Sequence, residues 1–280
     1  MVDALPSPGE RVAAVGCGTS LYVARAFAAL REAAGRGETD AFPASEFPAG
    51  RRYDRLVAIS RSGTTTEVIR LLERVDGLAP SVAITADGSA PLATLASESI
   101  GLDFADERSV VQTRFATTAF ALLRAHIGED LGPSIAHAER ALAEPLPVEA
   151  DRFDHFVFLG HGWSVGIAEE AALKLREAAQ VHAEAYPAME FRHGPISLAG
   201  TGSLAWILGS PDPAIAEDVA ATGAVVRVAS LDPMAELVFV HRLALVLAER
   251  RGRDPDHPRH LTRSVLLTSS PTLGGRNART

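Results

Sequence analysis

The sequence predicts an α/β protein with mostly parallel sheets, and three features of its patterning lead to this prediction. Short apolar segments of strand length alternate with longer amphipathic segments of helix length along the chain. Glycine-rich turns follow some of the apolar segments, as expected where a strand passes into a helix. The pattern also repeats, since VAAVGCGTSLYVARAF near the start aligns with FVFLGHGWSVGIAEEA in the second half, with the glycines in register.

The individual elements follow from this alternation. The predicted strands are short apolar runs, and they cover residues 11–15, 55–60, 81–85, 153–159, 203–208 and 224–229. The predicted helices are longer and amphipathic, and they cover residues 21–34, 67–75, 110–126, 164–179 and 235–250. The first of these helices is rich in alanine and is expected to end near Gly35 and Gly37.

A change of composition near the middle of the chain divides it into two units. Residues 127–147 combine two glycines and three prolines around a helical stretch, which is typical of a connection between domains. We therefore expect a first domain over 1–130, a linker over 131–150, a second domain over 151–250 and a C-terminal tail over 251–280.

Bulk properties exclude several classes of function. A formal charge of −8 argues against nucleic acid as a partner, because such proteins usually carry a basic stripe. Cys17 is the only cysteine, so no internal disulfide forms, which fits a reducing cytoplasm. No secretory signal and no apolar run of membrane-spanning length is present in the sequence, so no membrane association is expected.

The segment Ser60-Arg61-Ser62-Gly63-Thr64-Thr65 between a predicted strand and helix is suited to an anion. Gly63 lets the backbone approach a ligand closely, and the helix start offers free N–H groups with a partial positive charge. Thr64 and Glu67 have the spacing of a capping box. A capped helix without a ligand would show the same pattern, and Arg61 is expected either to reinforce anion binding or to face solvent.

Two nucleotide-binding motifs are excluded. The segment is not a Walker A motif, because no Gly-Lys-Ser/Thr follows it. The turn Gly16-Cys17-Gly18 gives G-x-G, but Leu21 stands where a dinucleotide site needs its third glycine. No nicotinamide cofactor is therefore expected.

Three stretches resemble the sugar isomerase (SIS) family: the turn over 16–20, the segment over 60–65, and the run EAALKLREAAQVHAEAYPAMEFRHGP over 170–195. The last is especially similar to the isomerase half of glutamine–fructose-6-phosphate aminotransferase and to related isomerases, deaminases and deglycases. The resemblance covers about residues 12–265. It implies two flavodoxin-like, three-layer αβα subdomains with parallel sheets, and a sugar phosphate such as a hexose or amino-hexose 6-phosphate as ligand.

The resemblance also implies residue roles. Glu177 matches the general base that moves a proton between C1 and C2, Lys174 matches a substrate-contacting lysine, and His193 matches a ring-opening histidine. In relatives that histidine comes from the neighbouring subunit, which implies a homodimer with shared active sites. The phosphate- and substrate-binding set comprises Gly18, Thr19, Ser20, Ser60, Arg61, Ser62, Gly63, Thr65, Val110 and Arg263.

Elementary chemistry agrees with these roles. A glutamate has an ordinary pKa near 4.3 and a histidine one near 6.5, so they are suited to act as base and as proton shuttle. Lys174 and Glu177, three residues apart, are neighbours on one helix face. An ordinary surface ion pair would show the same spacing, and His193 before Gly-Pro could simply cap a turn. Glu184 is expected to be structural.

The sequence departs from the aminotransferase pattern at two points. The chain begins almost at its first predicted strand, so we expect no glutaminase half. Arg263 stands where aminotransferases carry a lysine, and arginine forms no Schiff base. We therefore expect isomerisation or deamination of a hexose 6-phosphate rather than glutamine-dependent amination.

Two other functions remain open at this stage: deglycation of a fructosamine 6-phosphate, and sugar-phosphate sensing without catalysis. The nine histidines and the acidic residues show no metal-site spacing, so no metal and no cofactor are expected.

Overall fold

Two parallel β-sheets form the frame of the protein. The computed structural model describes residues 4–48 and 50–267. The first sheet has the order β2-β1-β3-β4-β5 and the second the order β7-β6-β8-β9. The nine strands are β1 (Val12–Gly16), β2 (Thr39–Pro43), β3 (Arg55–Ile59), β4 (Ser81–Thr85), β5 (Glu98–Gly101), β6 (His155–Gly160), β7 (His182–Pro187), β8 (Ser203–Ile207) and β9 (Val225–Val228). Every pairing is parallel, so the α/β prediction is confirmed.

Helices connect these strands. They are α1 (Thr19–Ala33), α2 (Thr66–Val75), α3 (Pro91–Leu95), α4 (Arg114–His126), α5 (Gly132–Ala143), α6 (Ser164–Ala179), α7 (Ala214–Ala220) and α8 (Pro233–Arg250). None of the described helices combines the length and the apolar character that crossing a bilayer requires.

The two sheets share one topology. In each, the first strand lies second in the order and the chain then proceeds to one side, which is the flavodoxin-like arrangement. The repeated sequence pattern lies at β1–α1 and at β6–α6, so it marks the start of each sheet. The expectation of flavodoxin-like αβα units is confirmed.

The predicted elements differ from the structure mainly at sheet edges. Strands β2, β5 and β7 are not predicted, and each lies at the edge of its sheet. Edge strands are partly exposed and carry polar residues such as Asp40, Glu98 and Glu184. They therefore lack the continuous apolar run that identifies a buried strand in a sequence. The strand over 81–85 and the helix over 164–179 have the predicted bounds.

The structure corrects one predicted segment and shows the helical stretch within the expected linker. The helix expected over 110–126 begins only at Arg114, because the Glu107 carboxylate accepts hydrogen bonds from the Thr113 and Phe115 amides and defines the helix start there. The expected linker over 131–150 is largely helix α5, which packs against α8.

Four helices form a layer between the two sheets. Helices α1 and α4 cover the inner face of the first sheet, α6 and α8 cover that of the second, and one apolar core joins them. The outer face of the first sheet is covered by α2 and α3, and that of the second by α7. The contact between α1 and α6 therefore fixes the position of the first sheet relative to the second.

Gly166 allows α1 and α6 to approach closely. A Cβ atom built on Gly166 would lie 2.6 Å from the Tyr22 carbonyl oxygen and 2.7 Å from the Ala26 amide nitrogen. Both are backbone atoms of α1, so no side-chain rotation relieves the overlap. Glycine is therefore required at this crossing.

Replacing Gly166 with alanine is expected to destabilise the protein by roughly 1–3 kcal/mol, because the helices must separate to admit the methyl group. Urea unfolding measures the change. Gly200→Ala is the matched control, since a Cβ there meets nothing within 4 Å. Equal stability of the two variants would contradict the close-packing argument.

Candidate functional site

The two glycine-rich turns lie side by side at the carboxyl edge of the first sheet. Strands β1 and β3 are neighbours, and each leads through its turn directly into a helix. Gly16 fits the first turn because a Cβ would lie 2.6 Å from the Ser20 carbonyl carbon. The N-termini of α1 and α2 therefore lie at one edge of the sheet, with Thr19, Ser20 and Ser60 at the strand ends. Such an edge is where open α/β sheets bind ligands.

Contacts with the end of β4 and with the residue before α3 fix the position of the loop over 60–65. Gly63 has a φ of +61°, and a Cβ there would lie 2.4 Å from that of Ala90. Thr85 at the end of β4 donates its hydroxyl to the Arg61 carbonyl at 3.1 Å. The Ser60 and Thr65 hydroxyls lie 3.3 Å apart across the loop. The loop backbone is therefore fixed, and the hydroxyls of Ser60 and Thr65 lie close together.

The expected capping box does not form. Helix α2 begins at Thr66, its N-cap is Thr65, and that residue makes no capping hydrogen bond with its side chain. The Thr64 hydroxyl instead donates to Ser264 at 3.0 Å. The reason is tertiary: the C-terminal tail reaches this loop and competes for its polar groups.

The tail lies across the start of α2. The Thr66 amide donates to the Val265 carbonyl at 3.2 Å, and the Leu267 amide donates to the Thr66 hydroxyl at 3.0 Å. A polar cavity of about 520 Å³ remains between the loop and the tail, and Ser62 and Arg263 are among its lining residues. The tail thus forms one wall beside the loop.

Arg61 does not face solvent. Its side chain is buried, and its guanidinium donates to the carbonyls of Ser109 at 2.6 Å and Val110 at 3.1 Å. Burial, followed by the charge of Arg263, lowers the pKa of Arg61 from its ordinary value. Arg61 therefore joins the loop over 60–65 to the segment before α4 by hydrogen bonds.

Val110 and Arg263 lie close to Arg61. The Val110 carbonyl accepts from Arg61, and the Val110 amide lies 3.4 Å from the Asp256 carbonyl to which it donates. Arg263 donates to the Glu107 carbonyl at 2.6 Å and pairs with the Asp106 carboxylate. Both residues therefore line the same end of the sheet as the loop, and both have protein partners.

Lys174 connects this edge to the second half. Its buried ammonium group donates to the Thr19 hydroxyl at 3.0 Å and to the Glu177 carboxylate at 2.6 Å. Glu177 is partly exposed, with 20% of its side chain accessible. The structure therefore brings together Thr19 of the first turn with Lys174 and Glu177 of α6.

Sequence reasoning missed two residues of this cluster. Glu170 lies 3.6 Å from the Lys174 ammonium and is fully buried, and burial raises the pKa of its carboxyl to about 7. The spacing 170, 174, 177 puts all three residues on one helix face, which is the signal that could have identified it.

His241 of α8 is the second missed residue. Burial, and then the charge of Lys174, lowers the pKa of His241 to about 3, so it stays neutral. Nothing in its sequence neighbourhood indicates this, because α8 meets α6 only in the folded chain.

His193 lies apart from Glu177 within one chain. Glu177 is near the end of α6, just before β7 begins at His182, whereas exposed His193 follows the end of β7. Six residues of strand span about 20 Å, so the two side chains lie at opposite ends of the second sheet. A single chain does not bring this acid–base pair together.

The buried carboxyl of Glu170 generates a pH prediction. Its folded-state pKa of about 7 exceeds the ordinary value of 4.5, so the folded state holds its proton longer than the unfolded state. Its effect on stability is therefore fully favourable below about pH 4.5 and is lost as pH rises through about 7.

From about pH 5 to about pH 8, the wild type is expected to lose up to about 3 kcal/mol through this group. Glu170→Gln should remove most of that dependence in urea unfolding at several pH values. Glu73→Gln, an exposed position on α2, is the control and should keep the wild-type slope. A slope in Glu170→Gln equal to that of wild type would refute the assignment.

Comparison with known proteins agrees with this architecture. The glutamine–fructose-6-phosphate aminotransferase (isomerizing) of Methanothermobacter thermautotrophicus is 30% identical over 92% of this chain and 52% of that protein. The corresponding enzyme of Thermus thermophilus is 29% identical over 94% of this chain and 53% of that protein. The chain thus spans about half the length of these two enzymes. No family model matches the chain.

Solved structures match this chain over most of their length. Glucosamine-6-phosphate deaminase from Thermotoga maritima superposes with a TM-score of 0.83 and 26% identity, covering 92% of this chain and 91% of that chain. Tagatose-6-phosphate ketose/aldose isomerase from Escherichia coli, at 20% identity and a TM-score of 0.73, shares the fold. The sequence relatives and the shared two-sheet architecture agree with the resemblance to the sugar isomerase (SIS) family.

Proposed function

We propose that the chain binds a hexose or amino-hexose 6-phosphate and catalyses aldose–ketose isomerisation or deamination, with Glu177 as the base. The observation that carries this proposal is the Lys174 ammonium, which bonds both Thr19 beside the phosphate turn and Glu177. Lys174 holds the Glu177 carboxylate at a fixed distance from the proposed phosphate-binding turn. A carboxylate so placed is suited to act on carbons at the other end of a short phosphorylated sugar.

The proposed chemistry needs one carboxylate that serves two adjacent carbons. Glu177 would take the proton from one of C1 and C2 and return it to the other through an enediol or enaminol. Lys174 would orient the carboxylate by its charge-assisted hydrogen bond of 2.6 Å. The phosphate would bind among the Ser20, Ser60 and Thr65 hydroxyls and the helix N-termini.

Deamination and isomerisation are favoured over amination in this proposal. Arg263 stands where related aminotransferases carry a lysine, and a guanidinium forms no Schiff base. The likeness to a glucosamine-6-phosphate deaminase over nearly the full length of both chains also supports a deaminase or isomerase.

A homodimer with shared sites completes the proposal. Because His193 and Glu177 lie at opposite ends of the second sheet, His193 would reach a Glu177 of the partner chain. An apolar groove of about 760 Å³ between α4, α5 and α8 supports an interface, since exposed Leu142 and Leu245 line it. Lys174 and His241 are also among its lining residues, so a partner seated there would approach the site.

Glu177→Gln is expected to lower kcat by roughly 10²–10⁴-fold, because glutamine keeps the shape but accepts no proton. Turnover is measured with a panel of hexose and amino-hexose 6-phosphates. Glu169→Gln on the same helix, where Glu169 pairs with Arg25, is the control and should stay active. Equal turnover by Glu177→Gln and wild type would remove Glu177 as the base, and binding without turnover by wild type would indicate a sensor.

Shared sites predict complementation between two inactive variants. A dimer of one Glu177→Gln chain and one His193→Ala chain keeps one site with both groups intact. Unfolding and refolding an equal mixture should therefore restore about a quarter of wild-type activity, since half of the dimers are mixed and each has one such site. Activity that stays at the level of the separate variants would contradict sharing.

A further inference from the structure

Three metal-ligating side chains lie together at the amino ends of two neighbouring strands of the second sheet. His155 opens β6 and His182 opens β7, and these residues are paired in register. Glu184 is two residues beyond His182, so its side chain points to the same face of the sheet. These residues lie at the edge opposite to the one where β6 and β7 end.

The distances between the ligand atoms are those of a shared ion. His155 Nε2 lies 3.4 Å from one Glu184 carboxylate oxygen, and His182 Nε2 lies 3.3 Å from the other. All three ligand atoms fall within 4.8 Å of one another. Ligands at about 2.0–2.1 Å in a tetrahedron lie about 3.3 Å apart, whereas a charge-assisted hydrogen bond is usually about 2.7–2.9 Å. The two nitrogen–oxygen distances are close to that tetrahedral spacing, and each runs to a different Glu184 oxygen.

Neighbouring residues orient the His155 ring, whereas the His182 side chain is accessible to solvent. The Ser203 hydroxyl lies 2.9 Å from His155 Nδ1, which fixes the ring and directs Nε2 toward Glu184. Ser203 is itself held by the Gly200 amide at 3.2 Å. His155 and Glu184 are mostly buried, whereas 63% of the His182 side chain is accessible, so an ion can enter from solvent.

We propose that His155, His182 and Glu184 bind a divalent transition-metal ion of borderline softness, with Zn²⁺ as the best-fitting case. Two imidazoles and one carboxylate suit Zn²⁺, whereas Mg²⁺ and Ca²⁺ take oxygen ligands. Water fills the fourth position on the exposed side of His182. The ion ties the start of β7 to β6 and stabilises the fold, and this inference does not depend on the proposed sugar-phosphate activity.

The proposed site differs from the expectation that the chain binds no metal. His155 and His182 are 27 positions apart in the sequence, a spacing that belongs to no short metal motif. Their proximity arises from the parallel register of β6 and β7, and β7 itself is not predicted from the sequence. Glu184, expected to be purely structural, is the carboxylate between the two rings.

The test is Zn²⁺ binding to the metal-stripped full chain, measured by competition with a chromophoric chelator and by metal content after gel filtration. We expect one Zn²⁺ per chain and a rise of several degrees in Tm on adding it. His182→Ala and Glu184→Gln should weaken binding at least about 100-fold, and Ser203→Ala by about 10-fold to 100-fold. His182 is exposed, so its removal should leave the metal-free Tm nearly unchanged.

His257→Ala is the matched control. His257 is also an exposed histidine beside a carboxylate, Asp254, but the two form a simple pair, so wild-type Zn²⁺ affinity is expected. X-ray absorption should show only nitrogen and oxygen ligands at about 2.0–2.1 Å. Absence of Zn²⁺ binding by wild type, sulfur coordination, or equal affinity of His182→Ala and wild type would each overturn the proposal. None of these measurements uses sugar phosphate, so failure here leaves the proposed enzymatic function untouched.

Discussion

Lys174 lies at the junction between the two halves of the chain, where its ammonium group has almost no access to solvent. Removing such a charge from water costs several kcal/mol unless partners compensate, and here Thr19 and Glu177 do so. The compensation requires α1 and α6 to keep one relative position, which the close approach at Gly166 also imposes. The glycine-rich turn at Thr19 and the Glu177 carboxylate therefore keep a fixed separation, because the buried Lys174 ammonium group donates hydrogen bonds to both.

The same burial sets the charge balance around that ion. Glu170 is near enough to Lys174 to interact with it, yet loss of water raises the pKa of its carboxyl to about 7. His241 stays neutral for the related reason that burial and the lysine charge both oppose its protonation. Near neutral pH the Glu170 carboxyl is therefore partly protonated, whereas His241 is neutral. The charges of the groups around Lys174 therefore depend on the packing of α6 against α8 as much as on residue type.

Arginines build the rim of the site. Arg61 and Arg263 donate to carbonyls of the segment over 106–110 and so fix its course. In the second half, the residue aligned with Ser20 is Ser164, whose hydroxyl bonds the carbonyls of His161 and Leu208. A hydroxyl that already bonds protein carbonyls is a poor anion ligand.

The sequence by itself determined the alternation of strands and helices, the repeated turn and the face shared by Lys174 and Glu177, because these depend on local periodicity and turn chemistry. It missed the edge strands β2, β5 and β7, the late start of α4 and the contact of the tail with Thr64, since polar edges and distant segments leave no local pattern. Only the tertiary structure separated His193 from Glu177 within one chain and brought His155 to His182. Both outcomes follow from the parallel pairing of strands. Parallel register places residues that are far apart in sequence side by side, and the two ends of one strand lie at opposite edges of the sheet.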